Sequence, residues 1–200
     1  MKLQMNRRIF RRDCMLIGAG TLTSTLLPVA VRTSPQPMLS QRRENPESPE
    51  DRLRKLRIKL PPPPKPVAVY VPAVQIGNML YVSGHGPRRL DGTSVRGKVG
   101  TDLTLKQGYD AARIVGLNVL SSVRNTLASL DKVVRLAKVL GMVNCTPDFT
   151  QQPQVINGFS ELMVQVFGEK YGKGARSAVG MTALPGNIAV EIEAIFEVRG

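Results

Sequence analysis

The most constraining stretch of this 200-residue chain lies near its end, ARSAVGMTALPGNIAVEIEAIFEV from Ala175 to Val198. From Ile188 onward the apolar residues alternate. Ile188, Val190, Ile192, Ala194, Phe196 and Val198 fall on one face, and Ala189, Glu191, Glu193, Ile195 and Glu197 on the other. Period two is the mark of a half-buried strand. The preceding run sets Ala175, Ser177, Val179, Met181 and Ala183 against Arg176, Ala178, Gly180 and Thr182. Leu184-Pro185-Gly186-Asn187 reads as a tight turn, so the two runs are expected to pair as an antiparallel hairpin. With Leu184 opposite Asn187, Ala178 faces Glu193, and a one-residue slip would drive Arg176 into the apolar face. On this register Arg176 and Glu193 are diagonal neighbours on the polar face, about 7–8 Å apart. An arginine and a carboxylate flanking a small alanine could hold an anion. An ordinary cross-strand ion pair is the commoner arrangement, and exposed pairs of that kind are weak.

The net charge of +13 is unevenly placed. Residues 1–60 hold 13 Lys/Arg against 5 Asp/Glu, and residues 61–200 hold 15 against 10. Much of the basic signal therefore belongs to the N-terminal segment. Aromatic residues make up 4% of the chain, and no stripe of Arg and Lys interleaves with them, so no nucleic-acid partner is expected. The two cysteines, Cys14 and Cys145, form no CxxC, and His85 is the single histidine. These counts argue against a metal site and leave no Ser-His-Asp arrangement.

Residues 1–32 read as an export signal. Arg7-Arg8 and Arg11-Arg12 precede a mildly apolar run, which resembles a twin-arginine leader and implies a periplasmic destination. A mis-called start codon and a cytoplasmic protein are the alternative. The run is too short and mild for a stable membrane span. Residues 33–60 read as a disordered linker followed by a short helix over PEDRLRKLRIKL, ended by Pro61 to Pro64. Residues 61–200 form the domain. Strands are expected over Val67–Ile76 and Met79–Gly84, turning at Gly77-Asn78, with another over Ser94–Gly100. Leu105 to Leu130 has helical spacing with Thr104 as its N-cap, Val133–Val143 is a strand, and Gln154–Phe167 is a second helix. The class is α+β, a six-stranded mixed sheet with two helices on one face. Several strands are apolar on both faces, so the uncovered face calls for an oligomer, with Arg176 and Glu193 at or near a subunit interface.

The segments YVPAVQIGNMLYVSGHGP, GKVGTDLT, AAR, VINGFSELMVQVFG, ARSAVG and VEIEAIF span nearly all of Val67 to Val198. In order and spacing they resemble the Rid family (YjgF, or L-PSP endoribonuclease), and more closely its YjgF/chorismate-mutase-like branch. The resemblance implies a chorismate-mutase-like fold and a homotrimer with a central barrel and clefts between subunits. It also implies hydrolysis of reactive 2-imino acids to 2-keto acids and ammonia, without a cofactor. It places the family's substrate-binding arginine on Arg176, which would grip a small carboxylate-bearing substrate. It places the acidic residue that handles water on Glu193. Tyr70, Ser83 and Asn157 match further pocket positions. On pattern alone these three read as a strand aromatic, a turn residue and a helix-face polar group. His85 follows the Ser-Gly turn and is a further candidate acid or base, or a structural histidine. Deaminating members carry a cysteine two residues after the arginine, where this chain has Ala178.

Three functional readings follow. The first is an imine/enamine deaminase. The second is a trimer that binds small carboxylates without turnover, in keeping with Ala178 and the export-like leader. The third is the ribonuclease of the family's older name. It ranks last, because the chain has neither paired histidines nor a coherent basic groove.

Overall fold

A long helix over Leu105–Leu127 (α2) and a second over Gln152–Phe167 (α3) lie side by side on one face of a five-stranded sheet. The computed structural model describes residues 47–63 and 69–199, which fall within a single unit, Arg43–Gly200. The proposed leader and most of the linker lie outside the described residues. The remaining elements are helix Pro49–Lys55 (α1), strands Ala73–Ile76 (β1), Met79–His85 (β2) and Val133–Asn144 (β3), the single turn Glu169–Gly172 (α4), and strands Ala175–Met181 (β4) and Val190–Val198 (β5).

Local chemistry explains several boundaries. Thr104 caps α2 as expected: its Oγ1 accepts from the Gln107 amide at 3.2 Å, and the Gln107 side chain accepts from the Thr104 amide at 2.8 Å. Ala128, at φ 66°, ends the helix in the left-handed region. Gly77, at φ 59°, turns β1 into β2, with Ile76 opposite Met79. The expected first strand is shorter than its apolar run, beginning at Ala73. Helix α1 belongs to the folded body rather than to a linker. Leu53 is buried in the core, and Glu50 accepts from the Leu130 amide at 3.1 Å.

The sheet order is β1-β2-β5-β3-β4, and it overturns the expected final hairpin. β4 pairs with β3 in parallel, Arg176 beside Val139 and Ala178 beside Gly141. β5 pairs with the other edge of β3, antiparallel, with Leu140 opposite Glu193. The cause is the crossover through α3. A strand returning by a helix lies parallel to the strand it left. β4 therefore takes one edge of β3 and leaves β5 the other. The chain from Thr182 to Ala189 must cross the end of β3, and a two-residue hairpin turn cannot do that. Asn144, fully buried at the end of β3, holds the crossing in place. Its Nδ2 donates to Asn187 Oδ1 at 2.9 Å and to the Ile188 carbonyl at 3.2 Å. Among the described residues five strands form, where six were expected. Ser94 to Gly100 makes only isolated bridges, such as Arg96 with Ile188 and Val99 with Cys145.

Apolar residues on the inner face of the sheet meet α2 and α3. Phe159, Phe196, Leu80, Leu120 and Ile156 are fully buried, and the Phe167 and Phe196 rings pack 6.0 Å apart. The helices approach closely at Gly158, where a Cβ would lie 2.0 Å from the Tyr109 carbonyl oxygen. That contact is backbone, so a methyl there must push α2 and α3 apart. The opposite face of the sheet is uncovered, leaving Val74, Ile76, Tyr81 and Val179 exposed.

Gly158→Ala is expected to cost about 3 kcal/mol, the upper range for overpacking a close contact. Urea unfolding should show a lower midpoint with an unchanged slope. An unshifted midpoint would mean that the two helices are not in backbone contact here.

Candidate functional site

The order of strands separates the two charges expected to act together. Residues paired across a sheet point to the same side. Arg176 aligns with Val139 and Ala194, both buried against the helices. Glu193 aligns with Leu140 and Ser177 on the uncovered face. Arg176 and Glu193 are therefore not neighbours on one face, as the hairpin register required. They lie on opposite faces with β3 between their strands. Arg176 takes the face that patterning argued against, through a different strand order rather than a slipped hairpin. That placement is tolerated because β4 is the edge strand, so Arg176 reaches past the apolar core to the polar flank of α3.

There Arg176 is half-buried and held by two neutral oxygens. Its Nη1 donates to Asn157 Oδ1 at 2.8 Å and to Ser160 Oγ at 3.0 Å. Among the described residues no carboxylate lies within 4 Å of it. Asn157 and Ser160 stand three residues apart on α3, so one helix face presents both acceptors. Asn157 thus joins Arg176 as expected, and Ser160 is an unforeseen partner. A guanidinium oriented by neutral groups keeps its charge and its other N–H donors available to an anion.

The uncovered face carries a second locus. A cavity of about 300 Å³ is lined by Val74, Tyr81, Ser83, Lys138, Leu140 and Glu193, among others. Ser83 Oγ donates to the Val71 carbonyl at 2.7 Å, which fixes the hydroxyl and leaves its oxygen free to accept. Lys138 Nζ donates to Ser177 Oγ at 3.1 Å and brings a positive charge to the same wall. Tyr70 is exposed just before β1 and does not line this cavity.

Glu191, two residues before Glu193 on the same face, is the carboxylate whose surroundings are special. It lies over Gly84, where a Cβ would meet its Oε1 at 2.1 Å, so a larger residue there would displace the carboxylate. Glu191 is half-buried. Loss of hydration, and then the negative charge of Glu193, push its pKa above the usual carboxylate range. Glu193 is the more exposed of the two. Periodicity places both glutamates on this face. What distinguishes Glu191 is its contact with Gly84, at the irregularity in β2 between Val82 and His85, a proximity of two strands that periodicity alone does not give.

His85 belongs to neither locus. It is buried at 6% exposure, with Nδ1 2.6 Å from the Ser83 carbonyl and Nε2 2.7 Å from Ser122 Oγ. A carbonyl can only accept, so Nδ1 carries the proton and Nε2 accepts from the serine hydroxyl. Burial holds the imidazole pKa below its ordinary value of 6.5. His85 is thus a neutral structural histidine that anchors the end of β2 to α2. Among the described residues no group of three metal-ligating side chains occurs, and no helix is long and apolar enough to cross a membrane.

The depressed pKa of His85 gives a pH-dependent stability with a definite sign. Below about pH 6.5 the unfolded chain takes up a proton that the folded chain refuses, so stability falls as the pH drops. His85→Asn removes that contribution. The stability difference between wild type and variant should narrow as the pH falls from about 7.5 to about 5.5. Urea unfolding at both pH values measures it, and a constant difference would show that His85 takes up a proton as readily in the fold as in the unfolded chain.

Comparison with known proteins draws these features together. The profile of the YjgF/chorismate mutase-like, putative endoribonuclease family matches residues 50–194. Protein TCP17 of Trypanosoma cruzi is 42% identical over 147 residues, covering 74% of this chain and 92% of that protein. A 2-iminobutanoate/2-iminopropanoate deaminase of the mite Dermatophagoides farinae is 29% identical over 142 residues, covering 71% and 95%. The crystal structure of Atu1372 from Agrobacterium tumefaciens, a protein of unknown function, superposes with a TM-score of 0.68 at 42% identity, covering 76% and 94%. The match begins inside α1 and ends within β5, the span that carries both loci. The chain is a member of the YjgF/chorismate mutase-like family.

Proposed function

We propose that this protein hydrolyses reactive 2-imino acids to 2-keto acids and ammonia, at clefts formed where copies of the chain meet in a homotrimer. The observation that carries the reading is Arg176, aimed by Asn157 and Ser160 and without a carboxylate partner among the described residues. That arrangement suits the carboxylate of a small substrate, gripped through two parallel hydrogen bonds. The mite relative named as a deaminase supports the choice of reaction.

The chemistry is addition of water followed by loss of ammonia. A general base takes a proton from water as its oxygen bonds to the imine carbon. The imine nitrogen takes up one proton as the carbinolamine forms. The C–N bond then breaks as the carbinolamine hydroxyl loses its proton to the base and the departing nitrogen takes a second, so both protons of the water leave on ammonia. A carboxyl group whose pKa is raised serves in both directions. On this ground Glu191 is the acid–base group, and Glu193 supplies the nearby charge that tunes it. Ser83, adjacent in the chain to the Gly84 that Glu191 lies over and lining one cavity with Glu193, would position water. No metal or cofactor enters these steps.

Because Arg176 and Glu191 lie on opposite faces of one sheet, a complete site takes Arg176 from one copy and Glu191 from another. The uncovered apolar face is the surface that such an assembly would bury. A ribonuclease reading has less support, since the chain's one histidine is engaged in packing through both ring nitrogens.

The test is to release 2-aminoacrylate in situ and follow pyruvate formation. Arg176→Ala and Glu191→Gln should each slow turnover by about 10²-fold or more, whereas Glu193→Gln should have a smaller effect. Co-expressing the Arg176→Ala and Glu191→Gln chains should restore part of the activity, because some mixed assemblies carry one intact cleft. Wild-type rates in Arg176→Ala would overturn the deaminase reading. A failure of mixed assemblies to recover would overturn the shared cleft.

A further inference from the structure

A second cavity lies on the helix side, away from both loci described above. It has a volume of about 440 Å³, within the range of small-molecule sites. Its floor is Ile114 and Leu117 of α2. Its walls are the segment around Lys59 and Pro61 and the loop Arg88 to Asp91.

Buried side chains of α2 fasten both walls. Asn118, 3% exposed, donates to the Arg88 carbonyl at 2.9 Å and to the Ile114 carbonyl at 3.1 Å. Ser121, 5% exposed, donates to the Pro61 carbonyl at 2.6 Å. One turn of helix thus clamps two separate segments a fixed distance apart, so the opening between them is part of the fold.

The lining is apolar below and cationic at the rim. Lys59, Arg88 and Arg89 contribute three positive charges. Asp91 is the one acid, and its Oδ1 accepts from the Thr93 amide at 2.8 Å and the Thr93 hydroxyl at 2.6 Å. Arg89 leans on Thr93 through Nη1 at 3.2 Å. Among the described residues neither Lys59 nor Arg88 has a carboxylate within 4 Å. Leu90 stands on the same rim, 76% exposed. A large apolar side chain and unpaired cations around an apolar floor complement one kind of molecule, with an apolar body and an anionic head.

We propose that this cavity is a binding site for a small amphipathic anion, its tail on Ile114, Leu117 and Leu90 and its head on Lys59 and Arg88. It is separate from the proposed deaminase cleft, and neither depends on the other. The probe is octanoate, titrated calorimetrically into the full chain, with octanol and acetate as controls for head and tail. Octanoate should bind at least tenfold more tightly than either control. Arg88→Ala should weaken it by about tenfold, the loss expected for one charged hydrogen-bonding partner. Leu117→Gln should weaken it as well, and Arg176→Ala should not. Equal binding of octanol, an unchanged affinity in Arg88→Ala, or a loss confined to Arg176→Ala would each overturn the assignment.

Discussion

The parallel pairing of β3 with β4 is the constraint on which the rest of the site depends. It follows from the helix between them: α3 carries the chain back along the sheet, and the returning strand must lie beside β3 in the same direction. Once β4 holds that edge, β5 can only take the other, and the linking segment must cross the end of β3. Asn144 makes that crossing affordable in polar terms, since its buried amide satisfies carbonyl and side-chain oxygens that the crossing would otherwise strand. The same topology sends Arg176 toward α3 and the glutamates toward the uncovered face. Strand order, more than any single contact, decides which functional groups can meet within one chain.

Most elements were legible in the sequence because their signals are local. The capping box at Thr104, the Gly77-Asn78 turn and the three- and four-residue spacing of α2 each depend on residues within one or two turns of one another. The alternation in β5 was equally plain, and its even positions are indeed the buried ones. The pairing of β4 was not legible, because alternation tells which residues of a strand share a face but not which face that is. An expected hairpin turn supplied the missing choice, and it chose wrongly. Arg176 seemed to require the polar side, whereas an edge strand offers an arginine a third course, around the rim of the core.

The candidate site was legible in its residues and not in their grouping. Arg176, Asn157, Ser83 and Glu193 were all singled out, yet the structure sorts them into two loci on opposite faces. Glu191 escaped notice because two glutamates in VEIEA look alike until one is seen against Gly84. His85 was ambiguous for a similar reason. Its two oxygen neighbours come from β2 and α2, and Ser122 lies 37 residues from it in the chain. Interactions of that range leave no periodic trace, so they can be read only once the strands are placed.

Glu191 and Glu193 also show how the uncovered face is poised energetically. Two carboxylates alternating along one strand repel, and burial of one shifts the cost of ionisation onto it. With the face open to water that cost is modest, since solvent screens Glu193. Covering the face would remove water from around Glu191 and strengthen the repulsion, because charges interact more strongly where the dielectric falls. A nearby cation would be needed to offset this, and Lys138 already stands on the same wall. The apolar groups exposed around the pair, Val74, Ile76 and Tyr81, favour covering the face, while the paired charges resist it. An anion-binding arginine brought in by a second copy would ease that resistance by adding positive charge beside the glutamates. The drive to cover the face and the proton affinity of Glu191 are therefore two consequences of one arrangement: an apolar sheet face with a pair of carboxylates set into it.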